Sequence, residues 1–412
     1  MAFVSLFRRV LIGAFAGIFP LAAAEQSGAS TSPLFRKVVL SEAFHAEAGT
    51  FGDLNRDGHL DAIAGPFWYA GPDFVERHEI YTPTGPFDPL NYSDNFSAFV
   101  HDFDADGWPD VLVIGFPGKD ASWWKNPGTS GEPWKRHLAF DPVDNESPTF
   151  GPFLDSGSVA LICMSEGRIG YATPNPARPE APWTFHAASS PRGWDRFTHG
   201  LGFGDIDGDG RADLLEKDGW WQQPASLAGD PEWQHHAVPF GSGAHMHVVD
   251  LNGDGLADVV SSRDAHGYGL NWFEQVRESD GTIAFREHEI LAPVAGKTLG
   301  GVQFSQLHAI TIADIDGDGL PDIVTGKRWW AHGPKHDPEP NAAPVLCAFL
   351  LRRSASGDVS FEPVIIDDAS GVGTQLVAAD ANADGRPDLI TVNKRGAFLL
   401  LSTTESSVLS AP

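Results

Sequence analysis

Apolar positions in this chain fall into short runs, and the runs repeat in a fixed order. Asp61-Ala62-Ile63-Ala64, Asp110-Val111-Leu112-Val113 and Asp322-Ile323-Val324-Thr325 each follow a polar loop and predict a short buried strand. A tryptophan-rich strand comes next: Trp68-Tyr69, Trp123-Trp124, Trp220-Trp221, Trp272-Phe273 and Trp329-Trp330. Recurrence at one place per repeat implies packing between neighbouring repeats, with a sugar-stacking platform as the other use of one ring in each pair. A third element runs from an aromatic residue, over two variable positions, often to histidine. It spans Trp134 to His137, Trp183 to His186, Trp233 to His236, Phe285 to His288 and Phe361 to Val364, with a weaker copy from Val75 to His78. Its period of two predicts an amphipathic outer strand. No helical period flanks these elements, so the expected fold class is all-β.

The polar loop is itself a repeat. Its clearest copy is Asp205-Ile206-Asp207-Gly208-Asp209-Gly210-Arg211-Ala212-Asp213. The others place Asp53, Asn55, Asp57 and Asp61; Asp102, Asp104, Asp106 and Asp110; Asp250, Asn252, Asp254 and Asp258; Asp314, Asp316, Asp318 and Asp322; and Asp380, Asn382, Asp384 and Asp388 at the same offsets. Such a loop can turn its first, third and fifth side chains inward, offer the seventh carbonyl and close with the ninth carboxylate. Glycine at the sixth place permits the positive φ of the turn. Oxygen donors without sulfur select Ca²⁺. No Glu stands at a twelfth position, so these are not EF-hands. Up to six structural calcium ions are expected.

Loops starting at 53, 102, 205, 250, 314 and 380 leave one double gap, so a further copy belongs near 152. There Phe150-Gly151 and Gly157 keep the frame of Phe51-Gly52 and Gly58. Pro152, Leu154, Ser156 and Ala160 replace the ligands, so this copy should hold no ion. Seven units at a period of about 50 residues, with several short strands each, predict a seven-bladed β-propeller over residues 25–412. Phe35-Arg36-Lys37-Val38 carries the outer-strand pattern ahead of the first loop. It should complete the last blade and close the ring, covering two free edges.

Residues 1–24 read as an export signal: Arg8 and Arg9, the apolar run from Val10 to Ala23, and small residues Ala22-Ala23-Ala24. The run is too short for a membrane span, and the expected location is periplasmic or extracellular, by a Sec or twin-arginine route. Net charge is −27, and 21 aspartates sit in the loops. The acidity is partly ion cage and excludes nucleic acid as a partner. Cys163 and Cys347 fall in the third and sixth units, across the ring from one another, and should not pair. Oligomeric state is left open.

These loops, with Phe51-Gly52 and Phe203-Gly204 ahead of two of them, resemble the FG-GAP/VCBS repeat family, to which integrin α-subunit propellers belong. Stretches such as His199 to Asp205, Phe304 to His308 and Thr325 to Gly333 are also similar to exported bacterial VCBS proteins. The resemblance implies the propeller and its calcium, and the third unit departs from it. It leaves the activity to the site.

Topology divides the chemistry. An innermost strand that ends in a calcium loop begins about six residues earlier, roughly 20 Å away on the opposite face. His199 and His308 stand six before their loops, His245 and His247 five and three before theirs, and Glu47 holds the six-before place of the first unit. Imidazoles from three units, with a carboxylate or Gln306, would bind Zn²⁺ or Mn²⁺. Turns on the same face carry Lys119, Lys217, Arg263, Lys327, Arg328, Lys394 and Arg395, which would attract an anionic or carbonyl-bearing ligand. Histidines of the outer strands are expected to be structural. Two functions are consistent with this layout. One is a carbohydrate-active lyase or dehydratase: His199, His245, His247 and His308 hold the metal, Lys327 stabilises charge, and His266 or Tyr268 takes the proton. Fold analogy with propeller polysaccharide lyases and fungal aldos-2-ulose dehydratase points the same way. The other is a non-catalytic module that binds glycans or proteins.

Overall fold

The computed structural model describes residues 34–154 and 157–403. The export segment and Ser156 of the degenerate loop lie outside the described residues. Among the described residues there are strands and a single 3-10 turn, Gly128–Ser130, and no α-helix. No helix is long and apolar enough to cross a membrane.

The strands form six antiparallel sheets, five of four strands and one of seven. The first unit holds Gly49–Gly52, Asp61–Ala64, Phe67–Tyr69 and Arg77–Glu79. The second holds Ser97–His101, Asp110–Ile114, Lys119–Lys125 and the first half of Lys135–Pro152. That 18-residue strand bends at Asn145, whose φ is 80°, and its second half starts the third unit, with Val159–Ser165, Arg168–Thr173 and Thr184–Ala187. The fourth holds Leu201–Gly204, Asp213–Glu216, Gly219–Gln222 and Gln234–Ala237; the fifth, Met246–Val249, Asp258–Ser262, Leu270–Arg277 and Ile283–Leu291. The sixth holds Ile310–Ala313, Asp322–Gly326, Leu346–Arg353 and Val359–Asp367. In the last sheet Leu376–Ala379, Asp388–Asn393 and Gly396–Thr403 are joined by Leu34–Ser41, which pairs antiparallel with Gly396–Thr403. With the long strand counted in both halves, the sheets make seven units of four strands.

Each unit's first strand lies against the first strand of the next, and that of the seventh against that of the first. The core follows the same circle. Seven apolar clusters are present, and each joins two consecutive units, from Leu54 and Val111 between the first and second to Ala62 and Leu399 between the first and seventh. Trp220 and Trp221, adjacent in one strand, point to opposite faces and enter the clusters on either side. The tryptophans therefore pack between neighbouring units. They also stack within a unit: Trp68, Trp123, Trp220 and Trp272 stand opposite His78, His137, His236 and His288, with ring centres 4.1–4.6 Å apart. The outer-strand histidines are packing groups.

One strand expectation is corrected. Trp329 and Trp330 lie in a turn after Asp322–Gly326, stacked on each other at 3.9 Å, and the third strand of that unit is Leu346–Arg353. Cys163 and Cys347 are both buried and free.

Candidate metal centre

Each polar loop folds the same way. The first carboxylate accepts the N–H of the sixth-position glycine, at 2.9–3.1 Å in Gly58, Gly107, Gly210, Gly255, Gly319 and Gly385. Those glycines all have φ between 83° and 91°. The ninth carboxylate is buried and uses both oxygens. One accepts the N–H of loop position two, as from Ile206 to Asp213 at 3.0 Å, and the other an N–H beyond the second strand, as from Gln223 at 2.8 Å. Asp61, Asp110, Asp258, Asp322 and Asp388 repeat the pair of bonds. Burial pushes Asp110, Asp213 and Asp322 up to about 7 and Asp258 and Asp388 up to about 6.

In three loops the first, third and ninth carboxylates bring oxygens within 4.8 Å of one another: Asp102, Asp104 and Asp110; Asp205, Asp207 and Asp213; Asp314, Asp316 and Asp322. An all-oxygen donor set of this kind fits a hard cation. Four loops carry protein cations at their edge, with Arg211 on Asp209 and Arg386 on Asp384 in two of them. Lys125 pairs with Asp104 and Asp106, and Arg352 with Asp316 and Asp318 at 2.8 and 3.1 Å.

At the other end of the first strands a second cluster assembles. His199 stands just before Leu201–Gly204, where Gly200 takes φ 86° to turn the chain into the strand. His308 precedes Ile310–Ala313, and Glu146 lies in the first strand of the third unit. His266 comes from the turn after Asp258–Ser262, set by its N–H bonding to Asp264 Oδ1 at 2.9 Å. The three Nε2 atoms converge: His199 lies 3.3 Å from His308 and 3.1 Å from His266. Glu146 Oε2 is 3.2 Å from His308 Nε2 and 3.5 Å from His199 Nε2. Ligands at about 2.1 Å from one ion, at angles between octahedral and tetrahedral, stand about 3.0–3.4 Å apart. The His199–His308, His199–His266 and His308–Glu146 pairs have that spacing, and all four atoms lie within 4.8 Å of one another.

Arg328 closes it from below. Its Nη1 donates to His308 Nε2 at 2.9 Å and lies 3.5 Å from Glu146, while Nη2 pairs with Glu47. Burial, then the charge of Arg328, lowers His308 to about 3. Burial and the neighbouring His308, His199 and Arg328 take His266 down to about 2. Burial would raise Glu146, but its bonds to His199 and His308 hold it well below the usual carboxylate range. Neutral imidazoles beside a carboxylate are the forms that ligate a metal. A metal on His308 would have to displace the Arg328 donor, which keeps Glu47 as its partner.

The most exposed of the clustered imidazoles are those of His266 and His332. The side chain of His332 is 45% exposed, its Nδ1 bonds to Asp337 Oδ1 at 2.9 Å, and its ring centre is 4.3 Å from that of His266. His266 Nδ1 is 4.0 Å from the same Asp337 oxygen. Tyr92 reaches across from the link between the first two units to bond Ala331 O at 3.0 Å.

The other residues expected here lie elsewhere. His247 is inside a strand and bonds Ile310 O at 2.9 Å; His245 is buried beside it, lowered to about 3 by burial and then His247. Neither shares the cluster, because both come after the turn into the strand and face the neighbouring unit. Lys327 is fully buried and donates to Ser305 at 2.8 Å, so it offers no charge to a ligand. Tyr268 bonds Glu339 at 2.8 Å, and Gln306 is engaged by Pro338 O and the Ala331 N–H. Arg328 and Lys394 are buried too, while Lys217 and Arg263 pair with Asp218 and Glu287. Glu146 and Asp337 were not assigned from sequence, although Glu146 holds the six-before place of the degenerate unit; Arg328 was expected on this face as a charge for a ligand and is instead buried on Glu47 and Glu146.

Residues 250–325 match the FG-GAP-like repeat family. The chain carries an FG-GAP-like repeat. The matched stretch spans the loops at 250 and 314 and includes His266 and His308. No curated protein sequence matches the chain. Solved structures similar to it include an Agrocybe aegerita lectin that recognises non-reducing terminal N-acetylglucosamine. It is 16% identical over 82% of this chain and 81% of its own, with a TM-score of 0.46. A Bacillus licheniformis rhamnogalacturonan lyase is 14% identical over 90% and 76%, with a TM-score of 0.46. The Nup133 β-propeller domain of Vanderwaltozyma polyspora is 11% identical over 90% and 98%, with a TM-score of 0.44.

Proposed function

We propose that this chain is an exported, calcium-braced seven-bladed β-propeller with a transition-metal centre at its axis, and that it acts on carbohydrate by β-elimination from an anionic or keto sugar. The ring reading rests on the cyclic order of first strands and clusters. The reaction centre rests on one observation: three Nε2 atoms and a carboxylate at ligand spacing, on the face away from the aspartate loops. Glu146, His199, His266 and His308 would hold Zn²⁺ or Mn²⁺, which when bound supplies a Lewis acid for a carbonyl or carboxylate oxygen. His332 is the proton acceptor within reach. Asp337 takes its Nδ1–H and fixes the tautomer, which leaves Nε2 basic at the open edge. Arg328 holds the carboxylates in place.

The second reading is a glycan- or protein-binding module without chemistry. It is favoured by the Arg328 bond to His308, which lets the cluster satisfy itself as an ion-pair network. Metal analysis after mild chelation and reloading with Zn²⁺ or Mn²⁺ separates the two. The first expects about one transition metal per chain besides calcium, lost in His199→Ala/His308→Ala. Calcium alone would leave the binding module. Uronate-containing and 3-keto sugars, screened for absorbance of a conjugated product, then test the reaction.

A further inference from the structure

The contact between the first and second units is built differently from the two contacts after it. In those, a phenylalanine at loop position two fills the space under the outer-strand tryptophan: Phe103 lies 5.4 Å from Trp183, and Phe153 is parallel to Trp233 at 6.1 Å. Both tryptophans are 4% exposed. Under Trp134 the same position is Leu54, and the apolar cluster here has five buried residues, the fewest of the seven. Between the outer strands of these two units lies a groove of about 1080 Å³, near the upper end of small-ligand sites.

Its floor is aromatic. Tyr81 and Trp124 stack at 4.6 Å, and Trp68 and Trp134 stand half-buried along it. Among the described residues, Trp134 has no ring stacked on it, so a face is free. The rim is polar, and its acidic groups, Glu79, Asp94, Asp120 and Glu132, outnumber Lys119 and Arg136. Asp94 is oriented by Thr84 Oγ1 at 2.7 Å, and Asp120 by Ser122 and Arg136, each at 2.6 Å. A flat apolar surface edged by oriented carboxylate acceptors suits a molecule with C–H faces and hydroxyl edges. The excess of acid disfavours uronates.

We infer that the groove between the first and second units is a second carbohydrate site, one that takes a neutral oligosaccharide on Trp134 with its hydroxyls on Asp94 and Asp120. It is separate from the metal cluster and stands or falls without it. The test is calorimetric titration of the full chain with cellopentaose, xylopentaose, mannopentaose and trigalacturonate. At least one neutral probe should bind, and any heat from trigalacturonate, which the axial site would take, should be unaltered by Trp134→Ala. Trp134→Ala should weaken binding about tenfold or more, the loss of one stacked ring. Asp94→Asn, on the rim, should weaken it without changing the melting temperature, and His199→Ala/His308→Ala should leave it unchanged. Failure of all three neutral probes, trigalacturonate binding that Trp134→Ala abolishes, or neutral-probe affinity unaltered in both groove variants overturns the assignment. Loss of metal with groove binding intact would bear on the axial centre alone.

Discussion

Lys327 shows what a single buried group contributes. Its amine has no carboxylate in contact, only Ser305 Oγ, and burial lowers it from 10.5 to about 8. Below pH 8 the folded protein carries the full cost of a buried cation. Between about 8 and 10.5 the folded state sheds its proton before the unfolded chain does, and stability recovers. Lys327→Met should therefore be more stable than the parent near pH 7, by on the order of 2 kcal/mol. The gain should shrink as urea unfolding is tracked towards pH 10; an advantage that stays constant with pH would refute it. At this scale the sequence was partly legible. The place six residues before each loop marks the axis, and it picked out Glu47, His199 and His308. The same count from position 152 reaches Glu146, hidden because that loop had lost its ligands. His245 and His247 misled because alternate strand residues face opposite sides, and being near the strand start does not fix direction.

The loop-and-strand element depends most on its ninth carboxylate, which ties loop position two to the third strand. Asp213→Asn would present an amide N–H₂ to one of the two backbone donors. That should cost about 1–3 kcal/mol even without calcium and remove one calcium per chain. Asp209→Asn, on the exposed side of the same loop, should weaken calcium binding while calcium-free stability stays within about 0.5 kcal/mol. Calorimetry with and without chelator distinguishes them; equal destabilisation by both would refute the staple. These elements were readable because aspartate spacing and glycine at φ > 0 are local requirements. Trp329-Trp330 was misread because an insertion moves the third strand of the sixth unit to Leu346–Arg353, and a tryptophan pair fits a stacked turn as well as a strand.

For the whole molecule the decisive contact is Leu34–Ser41 against Gly396–Thr403, with Phe35 opposite Ser402 and Val38 opposite Leu399. A chain starting after Ser41 would leave the edge of Gly396–Thr403 open, a template for intermolecular pairing. It should melt at a lower temperature and scatter light on heating, in contrast to the full chain. A monomer of unchanged melting temperature would mean the strand is ornamental. Its role was visible in the sequence as an outer-strand pattern placed before the first loop. The cyclic order of the units was visible too, because seven equal repeats have few ways to bury both faces. The composition of the imidazole cluster was not, since it joins three turns and one strand from four units, and the side-chain directions there depend on how the units pack.

One further consequence comes from the strand Lys135–Pro152. Its backbone carries the hydrogen-bonded ladder from the second unit into the third, bending at Asn145, whose φ is 80°, so the last strand of one unit and the first of the next are one piece. Glu146 follows that bend by one residue, so the carboxylate of the imidazole cluster is held by backbone that two units share, whereas His266 and His332 stand on turns of a single unit each.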